Sequence, residues 1–408
     1  MFGTMLRKLK SELESPRPDR AIGSGWLSGS GALLCGIVSI VLAIALKYPW
    51  LTTPELTIVT RTLSFKLFQH GVLLFGYAIA ITSLILRKDK SLGFAALALI
   101  MAATLMGGSS NEQLASQNTS IYFGLDFFVV NVLFTGFLFV PIEFYFPQRP
   151  EQDVLRREWQ EDMFYFLVSS LFVQILAFLT LSPAQLVNSA ASLEPVRSYV
   201  GSQPFLIQLA LIMLLTDFVQ YWLHRAFHQI PRLWRFHAVH HSAKTMDWLA
   251  GARMHFIEIV ILRSTTAIPM FTMGFDPNAI QTYILLVYVY SAFIHSNVGW
   301  DMSKIERFLV TPRFHHWHHG SEQEAIDVNY AIHFPLLDWL FGTHLKADKR
   351  WPDRYGIVGT PMPRGYFKQF LYPFQKPVQA TPEDAARSAS VSDCTEPEIK
   401  AVKRTSRA

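Results

Sequence analysis

Charged residues are scarce in this chain. Asp, Glu, Lys and Arg make up 16% of its 408 residues, whereas about 25% is usual in soluble proteins. Hydrophobic residues account for 50%, and 32 residues are Phe. This deficit of charge favours a membrane protein over a set of soluble domains. The net charge of +5 is spread between apolar runs, so it indicates membrane topology rather than nucleic-acid binding.

Cysteine is also rare, and two common metal signatures are missing. The only cysteines are Cys35 and Cys394, which excludes a disulfide framework and a Cys-rich zinc site. The His-E-x-x-H signature of zinc proteases is absent, and so is the Glu-x-x-His pattern of soluble di-iron bundles. Any metal chemistry in this chain must therefore use other ligands.

Apolar runs, in contrast, are frequent. Six precede residue 224, at about 31–46, 71–86, 92–106, 122–146, 163–181 and 205–223. A helical hairpin is predicted by two further runs that flank the turn sequence MGFDPN, at 256–273 and 278–294. The chain is therefore predicted to be an all-α, polytopic membrane helix bundle of about six spans plus the hairpin.

Lys and Arg are divided unequally between the two sides of this bundle. One side carries Arg7, Lys8, Lys10, Arg17, Arg20, Arg87, Lys88, Lys90, Arg149, Arg156 and Arg157. The other side carries only Lys47, Arg61, Lys66 and Arg197. The positive-inside rule therefore predicts that the first side, which includes the N-terminus, faces the cytoplasm in a bacterial inner membrane or the endoplasmic reticulum.

Histidine is concentrated in three motifs on the predicted cytoplasmic side. His224 and His228 are four residues apart, and two H-x-x-H-H boxes follow, formed by His237, His240 and His241 and by His315, His318 and His319. Helical spacings of three and four place side chains on one face, close enough to share a metal. Asp217 lies seven residues before His224, and we expect its carboxylate to hydrogen-bond a ligand imidazole.

The number of histidines indicates two metal ions. The three motifs supply eight, and His295 in the sequence FIHSN is a ninth, which is more than one zinc ion uses. A single pair four residues apart arises often by chance, but a repeated five-residue box argues against coincidence. Neutral imidazoles suit Fe, Zn, Cu and Ni, so we expect a cytoplasmic, His-rich helical cap that holds a dimetal site.

The order of these motifs is similar to that of a known family. The series H-x3-H, H-x2-H-H, an isolated His before Ser-Asn, and H-x2-H-H occurs together with YWLHR, LWRFHAVHHS and NYAIHFPLLDWLFGTH. Over about residues 150–350 it resembles the fatty acid hydroxylase and sterol desaturase superfamily of membrane di-iron oxygenases. Ala331 stands where the family often has Gly, and Leu337 where Trp is common, but neither difference removes a ligand.

The resemblance implies an oxidoreductase with two Fe ions, for which Zn can substitute on purification, and with O2 as co-substrate. Electrons would come from a partner such as a ferredoxin or a cytochrome b5-like protein. The reaction would hydroxylate or desaturate a C–H position of an apolar membrane lipid. The metal ligands are assigned as His224, His228, His237, His240, His241, His295, His315, His318 and His319. Supporting positions or extra ligands are assigned as His255, His316, Asp217, Asn329 and Glu258.

The predicted organisation has five parts. A cytoplasmic arm (1–28) precedes N-terminal membrane helices of unassigned role (29–146), a catalytic domain (147–350), a C-terminal extension (351–375) and a disordered tail (376–408). Two other functions stay open: a membrane zinc-dependent hydrolase or isomerase that uses the same histidines, and a non-catalytic metal-handling protein. A transporter would hold its metal near the membrane midplane, whereas these histidines gather at one interface.

Overall fold

The computed structural model describes residues 2–15, 17–60, 62–107, 122–153, 155–359 and 362–375. Within these ranges the regular structure is helical, and β pairing is limited to the isolated bridges Pro147–Val298 and Gly320–Tyr355. The predicted all-α class is thereby confirmed. The tail 376–408, for which disorder is predicted, lies outside the described residues.

The described residues form sixteen α-helices, named here in chain order. The N-terminal part of the chain contains α1 (Phe2–Leu13), α2 (Trp26–Lys47), α3 (Pro54–Thr60), α4 (Leu63–Leu86), α5 (Ser91–Leu105) and α6 (Leu125–Tyr145). The middle contains α7 (Trp159–Leu171), α8 (Val173–Ala190), α9 (Glu194–Gly201), α10 (Phe205–Gln229) and α11 (Pro231–His241). The last part contains α12 (Phe256–Thr272), α13 (Pro277–His295), α14 (Pro312–His318), α15 (Leu336–Phe341) and α16 (Tyr366–Leu371).

Six of these helices are long and apolar enough to cross a membrane, namely α2, α4, α6, α8, α10 and α13. The number agrees with the prediction, but the set differs in two places. The predicted run 92–106 is the 15-residue helix α5, which is shorter than the other spans. The second arm of the predicted hairpin, α13, is long enough to span by itself.

The predicted run 163–181 is divided at Phe172 into α7 and α8. The start of α6 packs against this break, where the Gly124 N–H donates to the Leu171 carbonyl oxygen at 3.1 Å. A Cβ atom at Gly124 would lie 2.4 Å from the Ser170 carbonyl oxygen. Only glycine allows the two backbones to approach this closely.

Close contacts between small residues hold the N-terminal helices together. A Cβ atom at Gly29 of α2 would lie 2.5 Å from Ser83 Oγ of α4, and one at Gly93 of α5 would lie 2.6 Å from the Leu84 side chain of α4. Membrane helices often pack through such small residues. Apolar faces gain little free energy when they leave lipid for another helix, so association depends on close packing. The α2, α4 and α5 helices therefore form one packed unit.

The basic loops share one end of the bundle with the histidines. In the N-terminal arm, Glu12 pairs with Arg87 in the α4–α5 loop at 2.6 Å. Gln152, after α6, donates to the Met246 carbonyl oxygen, close to the second His box, at 2.8 Å. At the opposite end, the Thr53 N–H donates to Asp126 at 3.1 Å. This arrangement matches the predicted division of Lys and Arg, whereas the cytoplasmic placement of the histidine end stays a prediction.

The α12–α13 hairpin returns the chain to the histidine end, as predicted. Its turn contains Gly274 with φ +81°, and a Cβ atom there would lie 2.5 Å from Arg197 Cα. Asp276 then caps α13, where its Oδ1 atom accepts from the Asn278 N–H at 2.7 Å. Because both arms have similar lengths, α13 ends with His295 close to where α12 begins.

Candidate metal centre

The nine histidines assigned as ligands lie together in two neighbouring groups. One group has five members, and the other has four. Within each group, the ring nitrogen atoms that could bind a metal all lie within 4.8 Å of one another. The five-histidine group consists of His224, His228, His237, His241 and His318, and the four-histidine group of His240, His295, His315 and His319.

Each H-x-x-H-H box contributes to both groups. In the second box, His237 and His241 are four residues apart and join the five-histidine group, whereas His240 joins the four-histidine group. In the third box, His318 belongs to the five-histidine group, whereas His315 and His319 belong to the four-histidine group. Residues at i and i+4 lie one above the other on a helix, so α11 and α14 face each other across both groups.

Backbone carbonyl groups fix the orientation of several of these rings. The Nδ1 atom of His224 lies 2.8 Å from the Tyr330 carbonyl oxygen, and that of His240 lies 3.0 Å from the Arg253 carbonyl oxygen. The Nδ1 atom of His295 lies 2.7 Å from the Ser291 carbonyl oxygen, and that of His318 lies 2.8 Å from the Val328 carbonyl oxygen. Because a carbonyl oxygen only accepts hydrogen bonds, Nδ1 carries the proton and Nε2 keeps its lone pair.

These lone pairs face one another inside the groups. The Nε2 atoms of His240 and His295 are 3.2 Å apart, although both rings use Nδ1–H as their donor. Two acceptors at this distance repel each other, and a cation bound by both removes the repulsion. In the described part of the chain, the buried Nε2 atoms of His228 and His318 have no hydrogen-bond partner. The donor set therefore fits metal ions in both groups.

The histidines of the second and third boxes are held in the neutral form. Burial, together with the positive charge that neighbouring imidazoles would carry, lowers the pKa well below its ordinary value for His237, His240, His241, His315, His318 and His319. Neutral imidazole is the form that binds metals. Near pH 7, these rings are therefore ready to act as ligands.

Comparison with known proteins gives this centre a context. The family model for fatty acid hydroxylase matches residues 209–343, a range that contains all nine histidines. This matched range, 209–343, is similar to a fatty acid hydroxylase domain and is called the hydroxylase domain. No solved structure matches the chain significantly.

Three relatives come from the same superfamily. Ornithine lipid hydroxylase OlsE of Rhizobium tropici is 28% identical over 221 residues, which cover 53% of this chain and 66% of that protein. Alkylglycerol monooxygenase of Danio rerio is 30% identical over 161 residues, 38% of this chain and 34% of the relative. Methylsterol monooxygenase 1-2 of Arabidopsis thaliana is 26% identical over 234 residues, 52% of this chain and 76% of the relative. The chain thus spans less than two thirds of the first two.

Within the hydroxylase domain, Glu258 and His316 each contact a histidine of the centre. The Oε1 atom of Glu258 accepts from the His237 Nδ1–H at 2.5 Å, which holds that ring in the same orientation as its neighbours. His316 lies outside both groups, with its Nε2 atom 3.2 Å from the His295 carbonyl oxygen and its Nδ1 atom 2.9 Å from the Tyr355 hydroxyl. Glu258 therefore orients the His237 ring and His316 contacts the His295 backbone, although neither residue belongs to the two groups.

Asp217 has a different role from the one expected. Its carboxylate accepts from three consecutive backbone amides, those of Ile332, His333 and Phe334, at 2.8–3.1 Å. It makes no hydrogen bond to His224, because the Nδ1 atom of that ring is already bound to the Tyr330 carbonyl oxygen. Asp217 therefore acts indirectly, since it fixes the segment that supplies this carbonyl group.

Two other predicted positions lie outside both groups. The Nε2 atom of His255 donates to the Phe370 carbonyl oxygen at 3.0 Å, and its Nδ1 atom accepts from the Ile257 N–H at 3.1 Å. This ring therefore caps α12 and ties it to the C-terminal extension. Asn329, at φ +57°, accepts from the Leu345 N–H at 2.9 Å and donates to the Phe314 carbonyl oxygen at 3.0 Å. Its side chain therefore connects the start of α14 to the backbone at Leu345.

Supporting residues upstream of the hydroxylase domain were not identified from the sequence. Glu143, near the end of α6, accepts from the Trp248 N–H at 2.7 Å and from the Asn297 N–H at 3.0 Å. It joins α6 to the loop that follows the second box and to the segment that follows His295. A carboxylate in an apolar run is the signal that identified Asp217, and the same signal could have identified Glu143.

A buried network of charges lies behind the second box. Arg156 pairs with Asp247 at 2.7 Å and also with Asp162, which in turn pairs with Arg253. All four side chains are at most 3% exposed. Because the Arg253 carbonyl oxygen accepts from His240, the network fixes a backbone group of the centre. From the sequence, Arg156 was assigned only to the membrane topology.

Proposed function

We propose that this protein is a membrane-bound di-iron oxygenase that modifies a membrane lipid. The observation that carries the proposal is the pair of adjacent groups of neutral histidines with Nε2 lone pairs turned inward, inside a fatty acid hydroxylase domain. The three relatives are named for ornithine lipid, alkylglycerol and methylsterol. All of these names support a lipid substrate for this chain.

The two groups of histidines would each hold one iron ion. All nine ligands are uncharged, so a bound metal pair would keep a high positive charge. When bound, the irons would use O2, and electrons from a ferredoxin or a cytochrome b5-like protein, to oxidise a C–H bond. The products would be a hydroxylated or a desaturated lipid.

The residues of the chain would prepare this centre for the reaction. The carbonyl groups of Tyr330, Arg253, Ser291 and Val328 hold the ligand rings in one tautomer, as partners of metal-bound histidines commonly do. Burial of the histidines keeps bulk water away from the reacting atoms. The histidines lie where α10 and α13 end, so a lipid can reach them from the bilayer with a carbon near the headgroup level.

Lipid analysis tests the choice of substrate class. In cells that lack the gene, we expect one lipid class to lose either one oxygen atom or one double bond relative to the parent strain. Complementation with the intact chain should restore it, and complementation with the His240→Ala variant should not. An unchanged lipid profile in the deletion strain would refute the assignment of a membrane lipid as the substrate.

We also propose that the histidine end faces the cytoplasm. The shared end of the bundle contains the N-terminal arm and the 87–90 loop, both rich in Lys and Arg, which the positive-inside rule places in the cytoplasm. A reporter that is active only in the cytoplasm should function when fused after residue 90 and fail when fused after Thr53. The reverse result would invert the topology.

A further inference from the structure

The short helix α15 carries large apolar side chains on its outside. Leu336, Trp339 and Leu340 are 51%, 67% and 66% exposed, whereas Asp338 is 0% exposed. A helix in contact with water usually shows the opposite arrangement, because carboxylates are rarely buried and apolar patches are rarely left open. In a membrane, charged side chains face the protein interior. The polarity of α15 is therefore typical of a surface that contacts lipid.

The segment that contains α15 runs alongside the membrane helix α10. It begins at Tyr330, whose carbonyl oxygen binds the His224 ring. The three backbone amides that Asp217 binds follow shortly afterwards. At the end of α15, the centre of the Phe341 ring lies 4.8 Å from that of Trp222. The chain thus descends along α10 from the level of His224 to that of Asp217 and then returns.

The length of α10 places this contact at membrane depth. Its 25 residues make α10 about 37 Å long, and it is one of the six helices that could span a membrane. Hydrocarbon is about 30 Å thick, so no more than about 7 Å of α10 extends beyond it at the histidine end. Trp222 and Asp217 precede the last residue, Gln229, by about 10 Å and about 18 Å. Both residues therefore lie within the hydrocarbon.

Two buried carboxylates satisfy the backbone of this segment at that depth. Non-helical backbone is tolerated in hydrocarbon only where its polar groups have partners inside the protein. Asp338 accepts from the N–H groups of Tyr330 and Ala331 at 2.8 and 2.9 Å. Asp217 accepts from those of residues 332–334. Five consecutive amides are thus bound from the inside, which leaves apolar side chains on the outer face.

We propose that residues 330–343 form a re-entrant segment, which enters the bilayer at the histidine end and returns to the same side. Leu336, Trp339 and Leu340 contact the acyl chains of that leaflet. The predicted His-rich cap is then partly inside the bilayer rather than wholly in the aqueous phase. The inference goes beyond the proposed function and does not depend on the metal or on the reaction.

Lipid is the occupant of this face because the face continues the outer surface of α10. Phe218 and Trp222 are exposed on α10, and the Phe341 ring of α15 lies 6.5 Å from the first and 4.8 Å from the second. A span is surrounded by lipid wherever protein does not cover it. The exposed side chains of α15 lie beside the same part of α10, so the same lipid covers them.

Fluorescence quenching in nanodiscs tests the proposal without any oxidation. Cys35 and Cys394, the only cysteines, would be replaced with Ser, and the full-length chain would carry one NBD label, at Leu340→Cys or at Leu336→Cys. Both positions are more than half exposed, so a label fits without disturbing the interior. Phosphatidylcholine with a doxyl group at carbon 5 or carbon 12 should quench both labels, and aqueous iodide should quench neither.

The course of the chain predicts an order of depth for the two labels. Position 336 follows the amides bound by Asp217, whereas position 340 precedes the residue that contacts Trp222, which is nearer the end of α10. The 12-doxyl lipid should therefore be more effective, relative to the 5-doxyl lipid, at position 336 than at position 340. The reverse order would overturn the re-entrant course.

Two reference positions calibrate the measurement. Leu214→Cys labels an exposed residue of α10 and should be quenched by the doxyl lipids alone. Glu324→Cys labels an exposed charged position and should be quenched by iodide alone. A label at position 340 that behaves like the one at position 324 would overturn the proposal.

Two further outcomes would assign the face to protein instead of lipid. A label at position 340 that neither quencher reaches, in nanodiscs with one chain each, would show that the tail 376–408 covers α15. Nanodiscs with two chains should give the same quenching by lipid as those with one. Protection from lipid only when two chains are present would assign the face to a second copy and would also overturn the proposal.

Discussion

The Glu258 carboxylate accepts the Nδ1–H of His237 at 2.5 Å, and both side chains are at most 3% exposed. Four other rings of the two groups contact backbone carbonyl oxygens through Nδ1, and His228 Nδ1 lies 3.3 Å from the partly exposed Asp327 carboxylate. His237 therefore differs in that its partner is a fully buried carboxylate. This contact links α11 to the start of α12 directly behind the five-histidine group.

Replacement of Glu258 should weaken metal binding. In Glu258→Ala the His237 Nδ1–H has no acceptor, and the ring can turn away from the group. We expect metal affinity to fall about tenfold to a hundredfold, as for other partners of metal-bound histidines. Glu258→Gln keeps an oxygen that can accept and should retain most of the affinity. Competition with a chelator measures both variants, and an affinity of Glu258→Ala equal to that of the unaltered chain would contradict this role.

Gly251 should be intolerant of a side chain. A Cβ atom there would lie 3.1 Å from His295 Nδ1 and 3.3 Å from its Cγ, so Gly251→Ala should displace the ring from the Ser291 carbonyl oxygen. We expect the metal content to fall from two ions per chain towards one. Gly136→Ala is the matched control, because its Cβ atom would lie at an ordinary 3.8 Å from Trp248. Equal metal content in the two variants would show that the His295 ring is not confined by Gly251.

The four histidines between residues 315 and 319 should not be equivalent. His315→Gln removes a member of the four-histidine group and should lose metal, whereas His316→Gln should keep two ions per chain. Burial lowers the pKa of His316 to about 3, so this ring is neutral near pH 7 and its loss removes no charge. Elemental analysis of the purified variants decides the matter. A His316→Gln chain that loses as much metal as His315→Gln would place His316 among the ligands.

Asp217 should contribute to stability more than to the chemistry. In Asp217→Ala three buried amides lose their acceptor, and even one hydrogen bond to a charged group contributes about 1.5–3 kcal/mol. We expect a clear fall in the midpoint of thermal unfolding, and a loss of metal only as a consequence. The exposed Asp301→Asn exchange serves as the control and should leave the midpoint unchanged. An unaltered midpoint with lost metal would instead indicate direct action on a ligand.

The sequence predicted the metal centre best where the prediction rested on a single residue type, histidine. Eight of the nine histidines lie in motifs that the sequence alone shows, because helical periodicity converts spacings of three and four into a common face. The ninth, His295, is isolated and was assigned with them from the order of the motifs. The sequence could not show how each H-x-x-H-H box divides between the two groups. That division depends on how α11 and α14 face each other, which is set by packing between distant segments.

The same limit applies to the polar residues around the centre. Asp217 was recognised as unusual, but its partners are the amides of residues 332–334, more than a hundred positions away. Glu143 and Arg156 lie before the hydroxylase domain and reach it only through the fold. The break at Phe172 could not be predicted either, since it arises where the start of α6 packs against α7.

The most direct test of the central claim is O2 consumption by the purified chain loaded either with iron or with zinc. We expect two irons per chain and O2 uptake that requires a reductant, is abolished in His240→Ala and is absent from the zinc form. A zinc form that transforms lipid fully without any reductant would contradict it.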